Sequence, residues 1–480
     1  MTMNRIDIKS FLAVFFVLLT ISITAIAQND ASEQKETPPE GGEPKDFTLP
    51  EKSVVNYDNG LQLVMVQYGQ IPKATIRIVT KTGNINESEN QVWLSDITAD
   101  MMKEGSTSMK GNEIADKMAG MGGELNLSVS MHTTNTSSSV LYEFAPEAVK
   151  VMADVLMNPA FPESEFSRII NDRKRSLAVS MSRAQPKARA AFYSAVYPDH
   201  PYGRIYPTEE MLSNYTLEDA KSFYNANFGA KRTTVYVVGK FDESAVKNAV
   251  EESMSSWKSG SETNYPIAEP QVTDVVKILN RDGAPQSTIM FGMPVAGPSS
   301  EDWIALNVTN TLLGGSFGSR ITRNIREDKG YTYSPRSAVN DNFKSAVWYE
   351  VADVTTDVTK PSLEEITKEI YKLQEEAPSD DELEGIKNYS AGIFVLQNST
   401  PGGIIGQLVN MDVHNLDESY LTNYVQNIYA VTPEKVKEMT QKYIKPEDMT
   451  LVVVGDESEI KNQVEEFDKQ RESYRLPVKQ

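Results

Sequence analysis

At 480 residues, with 40% apolar and 24% charged side chains, the chain has ordinary globular composition and enough length for two or more domains. Its formal net charge of −20 argues against nucleic acid as a partner, since a phosphate backbone would be repelled, and fits a solvated surface able to attract basic peptides. No cysteine is present, which excludes disulfides, thiolate metal sites and a lipid-anchored cysteine.

Taken in order, the chain begins with an export signal. Arg5 and Lys9 precede the apolar run FLAVFFVLLTISITAI (11–26), and Ala25 and Ala27 are the small residues a signal peptidase needs. Residues 1–27 read as a signal peptide, so the protein is expected in the bacterial periplasm; a retained anchor or full secretion are the alternatives. Residues 28–48 are polar and rich in Glu, Pro and Gly, which predicts a flexible leader. From 49 the pattern changes. LQLVMVQ (61–67) and ATIRIVTKTG (74–83) read as a strand hairpin, and VWLSDITADMMKEG (92–105) as a helix stopped by Gly105. A second helix (112–121) runs into Gly122-Gly123 and the alternating strand region ELNLSVS (124–130). Helices follow at 145–156 and 163–182, and the apolar strand TTVYVVGKFD (233–242) closes this half.

That closing strand recurs as MTLVVVGDES (449–458). Ala74-Thr75-Ile76 has an echo at Ser287-Thr288-Ile289, Phe166 at Leu383, and Thr216-Leu217-Glu218 at Thr432-Pro433-Glu434. All of these offsets lie between 213 and 217 residues. Correspondences in the same order at nearly constant spacing mean a duplication. The expected fold class is α+β: two homologous domains, 49–256 and 272–480, joined by a linker at 257–271. Each is expected to be an antiparallel or mixed sheet with helices packed on one face. In the second copy a helix-like run from Trp303 to Leu313 enters the loop Gly314-Gly315-Ser316-Phe317-Gly318, and a short segment with Ile321 and Ile325 ends at Arg326. Tyr333 follows seven residues later. Arg326 is a planar five-donor fork and Tyr333 a phenol on a stiff arm, so together they suit a peptide carbonyl or a developing oxyanion.

The duplication, HPYG (200–203), LLGGSFGSR (312–320) and IREDKGYTYS (325–334) together resemble the pitrilysin/insulinase family of zinc metallopeptidases over nearly all of the mature chain. The resemblance implies a clamshell half and a helix bearing H-x-x-E-H, in which two His hold zinc and the Glu activates its water. The positions that match are Asp96, Ala99 and Asp100, so neither His nor the Glu is present, and the stretch expected to bring a third ligand, 173–182, has no carboxylate. The three histidines, His132, His200 and His414, stand at no ligand spacing; His200 reads as a loop cap. No cofactor is therefore expected in this chain, with zinc carried by a partner. In this family one chain often bears the zinc helix while a second supplies an Arg/Tyr pair, and Arg326 and Tyr333 stand at that spacing, which makes them the catalytic candidates. Gly314, Gly315, Ser316 and Gly318 are candidate substrate contacts. Leu127 and Ser128 are further ones, on a strand that the resemblance implies pairs with extended peptide, with plain sheet structure as the alternative. The implied function is the non-catalytic, substrate-binding subunit of a heteromeric periplasmic zinc peptidase. Its partners would be a homologous zinc-bearing subunit and a peptide or unfolded polypeptide. The alternative is a peptidase-fold peptide-binding or scaffold protein with no catalytic role. An independent enzyme of other chemistry lacks a nucleophile: there is no Cys and no evident Ser–His–Asp set.

Overall fold

The structure, a computed structural model, describes residues 47–272 and 275–474; the expected signal peptide and all but the end of the expected leader lie outside them. In chain order come β1 (Lys52–Asn56), β2 (Gln62–Gln67), β3 (Lys73–Thr80), α1 (Leu94–Lys103), β4 (Asn126–Val129), β5 (Thr134–Leu141), α2 (Ala145–Met157), α3 (Glu163–Ser182), α4 (Ala184–Val196), β6 (Thr233–Gly239) and α5 (Glu243–Met254). A similar series then runs again, without a counterpart of β1. It comprises β7 (Val276–Asn280), β8 (Gln286–Val295), α6 (Trp303–Asn310), β9 (Arg336–Val339), β10 (Ala346–Thr355), α7 (Thr359–Glu375), α8 (Asp380–Gln397), α9 (Pro401–His414), β11 (Thr450–Gly455) and α10 (Glu457–Gln470).

The strand orders prove the duplication at the level of topology. The first sheet is β1-β2-β6-β3-β5-β4 and the second β7-β11-β8-β10-β9. Each is mixed: β2 and β6 run parallel, as do β7 and β11, and the remaining neighbours are antiparallel. The expected hairpin of 61–67 with 74–83 is not a pair, because β6 lies between β2 and β3, as β11 does between β7 and β8. The reason is burial. All seven residues of β6 and all six of β11 are buried, and a strand apolar on both sides belongs in the centre of a sheet.

Both faces of each sheet are covered. On one face the sheet meets helices of its own half: Val235, Val237, Ile76 and Ile78 share a core with α1 and α2, and Ile289, Phe291, Leu451 and Val453 one with α6 and α7. The alternate residues point the other way and meet the opposite half. Val64, Val66, Tyr236 and Val238 pack on Ile404, Ile405 and Leu408 of α9, while Met290, Val452 and Val454 pack on Ala188, Phe192 and Val196 of α4. The two copies thus exchange one helix each. At about 25 cal/mol per Å² of apolar area removed from water, covering two sheet faces in this way is a major part of what joins the halves. Among the described residues no helix is long and apolar enough to cross a membrane.

Candidate functional site

The α1 helix starts at Trp93, whose φ of 69° is left-handed. Its first turn is capped by a carboxylate from outside the helix: Glu87 accepts hydrogen bonds from the Trp93 N–H at 3.0 Å and from the Ser95 N–H at 2.9 Å. Burial pushes the Glu87 carboxyl up to about 7, against the pull of those donors. Asp96 and Asp100 do share one face, and between them lies a cation. The guanidinium of Arg173, from α3, reaches Asp96 Oδ1 at 3.2 Å and Asp100 Oδ2 at 2.6 Å, and lies 6.0 Å from the Trp93 ring. Asn84 donates a further hydrogen bond to Asp96 at 2.8 Å. Burial raises both aspartates, and Arg173 offsets this in part.

These residues do not fit zinc. Two carboxylates replace two imidazoles, the buried Ala99 has no base to offer, and a fixed guanidinium already neutralises the carboxylates and would repel a divalent ion. Among the described residues no group of three or more His, Cys, Asp or Glu side chains is arranged to hold a metal.

In the second half, α6 continues as a π-helical turn, Thr311–Gly315, which widens the backbone just before the glycine loop. The glycines there serve close packing on the inner side. A Cβ at Gly314 would stand 2.6 Å from Ser337 Oγ and 2.8 Å from Glu350 Oε2, and one at Gly315 would stand 2.5 Å from Asn310 Nδ2. Glu350, on β10, is fully buried, and desolvation holds its carboxyl well above the usual range against the pull of Arg336. Above this floor the guanidinium of Arg326 lies against two rings: its carbon is 4.3 Å from the Phe317 centroid and 4.8 Å from that of Tyr333. Both rings are largely exposed, Phe317 at 69% and Tyr333 at 79%. Arg326 Nε meets Glu327 at 3.1 Å.

Gly314, Gly315, Ser316, Arg326 and Tyr333 line one cavity of about 430 Å³ together with Phe317. Gly318 does not line it and has open space around its Cα. Leu127 and Ser128 do not reach it either. They stay on β4, an edge strand, with Leu127 opposite Thr136 and Ser128 opposite Asn135 of β5.

The histidines, far apart in sequence, meet at the seam between the halves. His200 caps the turn at 201–203, its Nδ1 accepting from the Tyr202 N–H at 3.2 Å. His132 Nε2 lies 2.8 Å from the Tyr202 hydroxyl, which also accepts from the Phe343 N–H at 3.0 Å. The His414 ring sits 6.1 Å from that of His132. All three are held below the ordinary imidazole range, chiefly by burial.

Comparison with known proteins assigns both halves to one family. The model of the insulinase family, peptidase family M16, matches residues 63–207, and that of the peptidase M16 inactive domain matches 214–390. The chain belongs to the M16 peptidase family. It is similar to an uncharacterized zinc protease of Rickettsia felis, 24% identical over 71% of this chain and 82% of that one. It is also similar to a Helicobacter pylori protein named non-peptidase homolog YmxG, 19% identical over 82% and 91%. In fold it resembles the crystal structure of a peptidase M16 inactive domain from Pseudomonas fluorescens, with a TM-score of 0.77 at 20% identity, over 84% of this chain and 98% of that one.

Within this M16 chain, sequence reasoning missed Phe317, Glu350 and Arg173. Phe317 carried a signal, an aromatic side chain set among Gly and Ser where nothing local can bury it. Glu350 and Arg173 carried none, since their roles depend on which strand and helix lie opposite.

Proposed function

We propose that this protein is a non-catalytic, substrate-binding M16 subunit of the periplasm. In this reading it lends Arg326 and Tyr333 to a homologous chain that bears the zinc helix. The observation that carries the proposal is the contrast between the two halves. The carboxylates of α1 are taken up by Arg173, whereas the terminal nitrogens of Arg326 have no protein acceptor among the described residues and face an open cavity. Donors aimed at a scissile carbonyl act on charge that develops in the transition state, so they need not belong to the chain that holds the metal. The match to an inactive-domain model and the name of the Helicobacter pylori relative support the absence of chemistry in the isolated chain.

The test is reconstitution with a co-expressed H-x-x-E-H chain. Cleavage of an unstructured peptide should need both chains, and Arg326→Ala or Tyr333→Phe should lower kcat by about 10²–10³ if each removes an oxyanion donor. Turnover by this chain alone, with stoichiometric zinc, would refute the proposal. A peptide-binding scaffold is the second reading, favoured by the exposed Phe317 and Tyr333 rings. It predicts peptide binding with no gain in turnover in any pairing.

A further inference from the structure

The overall charge of this protein and the charge of its cavity have opposite signs. The chain carries −20, yet the side chains around the cavity include two arginines, Arg326 and Arg336, and no carboxylate. The acids nearby are otherwise engaged. Glu327 pairs with the Nε edge of Arg326, Asp353 accepts from Gln185 Nε2 at 2.7 Å and from Thr288 Oγ1, and Glu350 lies buried beneath Gly314, where desolvation raises its carboxyl. Arg336 is exposed at the start of β9, and its charge also acts on the buried Glu350. The Phe317 and Tyr333 ring centroids lie 4.3 and 4.8 Å from the Arg326 guanidinium carbon, and the terminal nitrogens have no protein acceptor among the described residues. A guanidinium with free N–H donors is a planar fork suited to bidentate contact with a two-oxygen acceptor, which a carboxylate provides and a single carbonyl does not.

We infer that the cavity binds a carboxylate of a peptide, with Arg326 as the fork and Arg336 as the second positive charge. The inference rests on the substrate-site reading above and narrows its ligand to peptides that present either a free C-terminus or an acidic side chain. It also reverses the expectation from net charge: an acidic surface would draw basic segments, while this cavity selects the acidic end of its ligand.

Isothermal titration of the full chain with four versions of one neutral octapeptide separates the possibilities. The versions are C-terminally amidated, carrying a free C-terminus, amidated with one Glu, and amidated with Gln in place of that Glu. The expected result is about tenfold tighter binding of a carboxylate-bearing version than of its neutral counterpart. Preference for the free C-terminus alone, for Glu alone, or for both identifies the source of the carboxylate. Arg336→Gln should reduce the preference, weakening the carboxylate-bearing versions more than their neutral counterparts. If all four bind equally and Arg326→Ala weakens all of them, the carboxylate inference is overturned while the substrate site stands. If none binds, or Arg326→Ala changes nothing, both fall.

Discussion

Removing Arg173 tests whether a guanidinium has taken over the structural work of a cation on α1. In Arg173→Ala, Asp96 and Asp100 lose their shared partner while remaining largely covered, with side-chain exposures of 20% and 40% in the intact protein. Breaking a fully buried pair by deleting one member costs about 3–5 kcal/mol. Asp100 is more than a third exposed, so solvent screens much of its share, and about 2–3 kcal/mol is the figure to expect at neutral pH. The sign of the pH dependence follows from burial. Both aspartates already have folded-state values raised above the unfolded one, and loss of the guanidinium raises them further. A raised folded-state value means that stability is fully present below the unfolded value and is lost as pH rises through the folded one. The deficit of Arg173→Ala should therefore shrink as pH falls from 8 towards about 4, the ordinary Asp range. Asp96→Asn with Asp100→Asn in the same background should recover most of it at pH 8. Urea unfolding at a series of pH values measures both effects. A deficit under about 0.5 kcal/mol, the scale of an ordinary surface change, or one that does not vary with pH, would refute the reasoning.

Three further outcomes follow from the packing. Gly314→Ala should cost about 1–3 kcal/mol, because its Cβ collides with Ser337 and Glu350, whereas Gly318→Ala should be silent in thermal unfolding, having nothing within 4 Å. Glu350→Gln should remove the loss of stability that the parent shows as pH rises through its elevated Glu350 value, which denaturation over a series of pH values would show. Burial, with His414 and His200 alongside, holds His132 down to about 3, so the folded state binds fewer protons than the unfolded state between about 3 and the ordinary 6.5. Stability should therefore fall as pH drops below 6.5. The groups facing this cluster are Tyr202, Tyr265, Asp341 and Arg204, and His132→Gln should flatten the acid limb of the profile; an unchanged slope would show that His132 does not titrate there.

The duplication was readable from the chain because a repeated fold repeats its local patterns. The VVVG strands, the glycine stops and the helix starts recur at one spacing whatever the tertiary arrangement. The loss of the zinc set was equally plain, since His and Glu at a required spacing are either present or absent. The hairpin expected from β2 and β3 failed because adjacency in sequence does not reveal a strand inserted from 170 residues later, and β6 is that strand.

By itself, then, the sequence determined that His and Glu are missing from the H-x-x-E-H positions of α1 and that glycines, Arg326 and Tyr333 fall together in 313–334, because those depend on residue type and short-range spacing. The tertiary structure alone decided that Arg173 lies between Asp96 and Asp100, which acid lies under Gly314, and that Phe317 and Tyr333 meet Arg326. It also decided that α4 and α9 change places between the halves. Each of these is a contact between segments distant along the chain or turned by a loop. Its energy comes from burial and charge pairing across that distance, which no local pattern encodes.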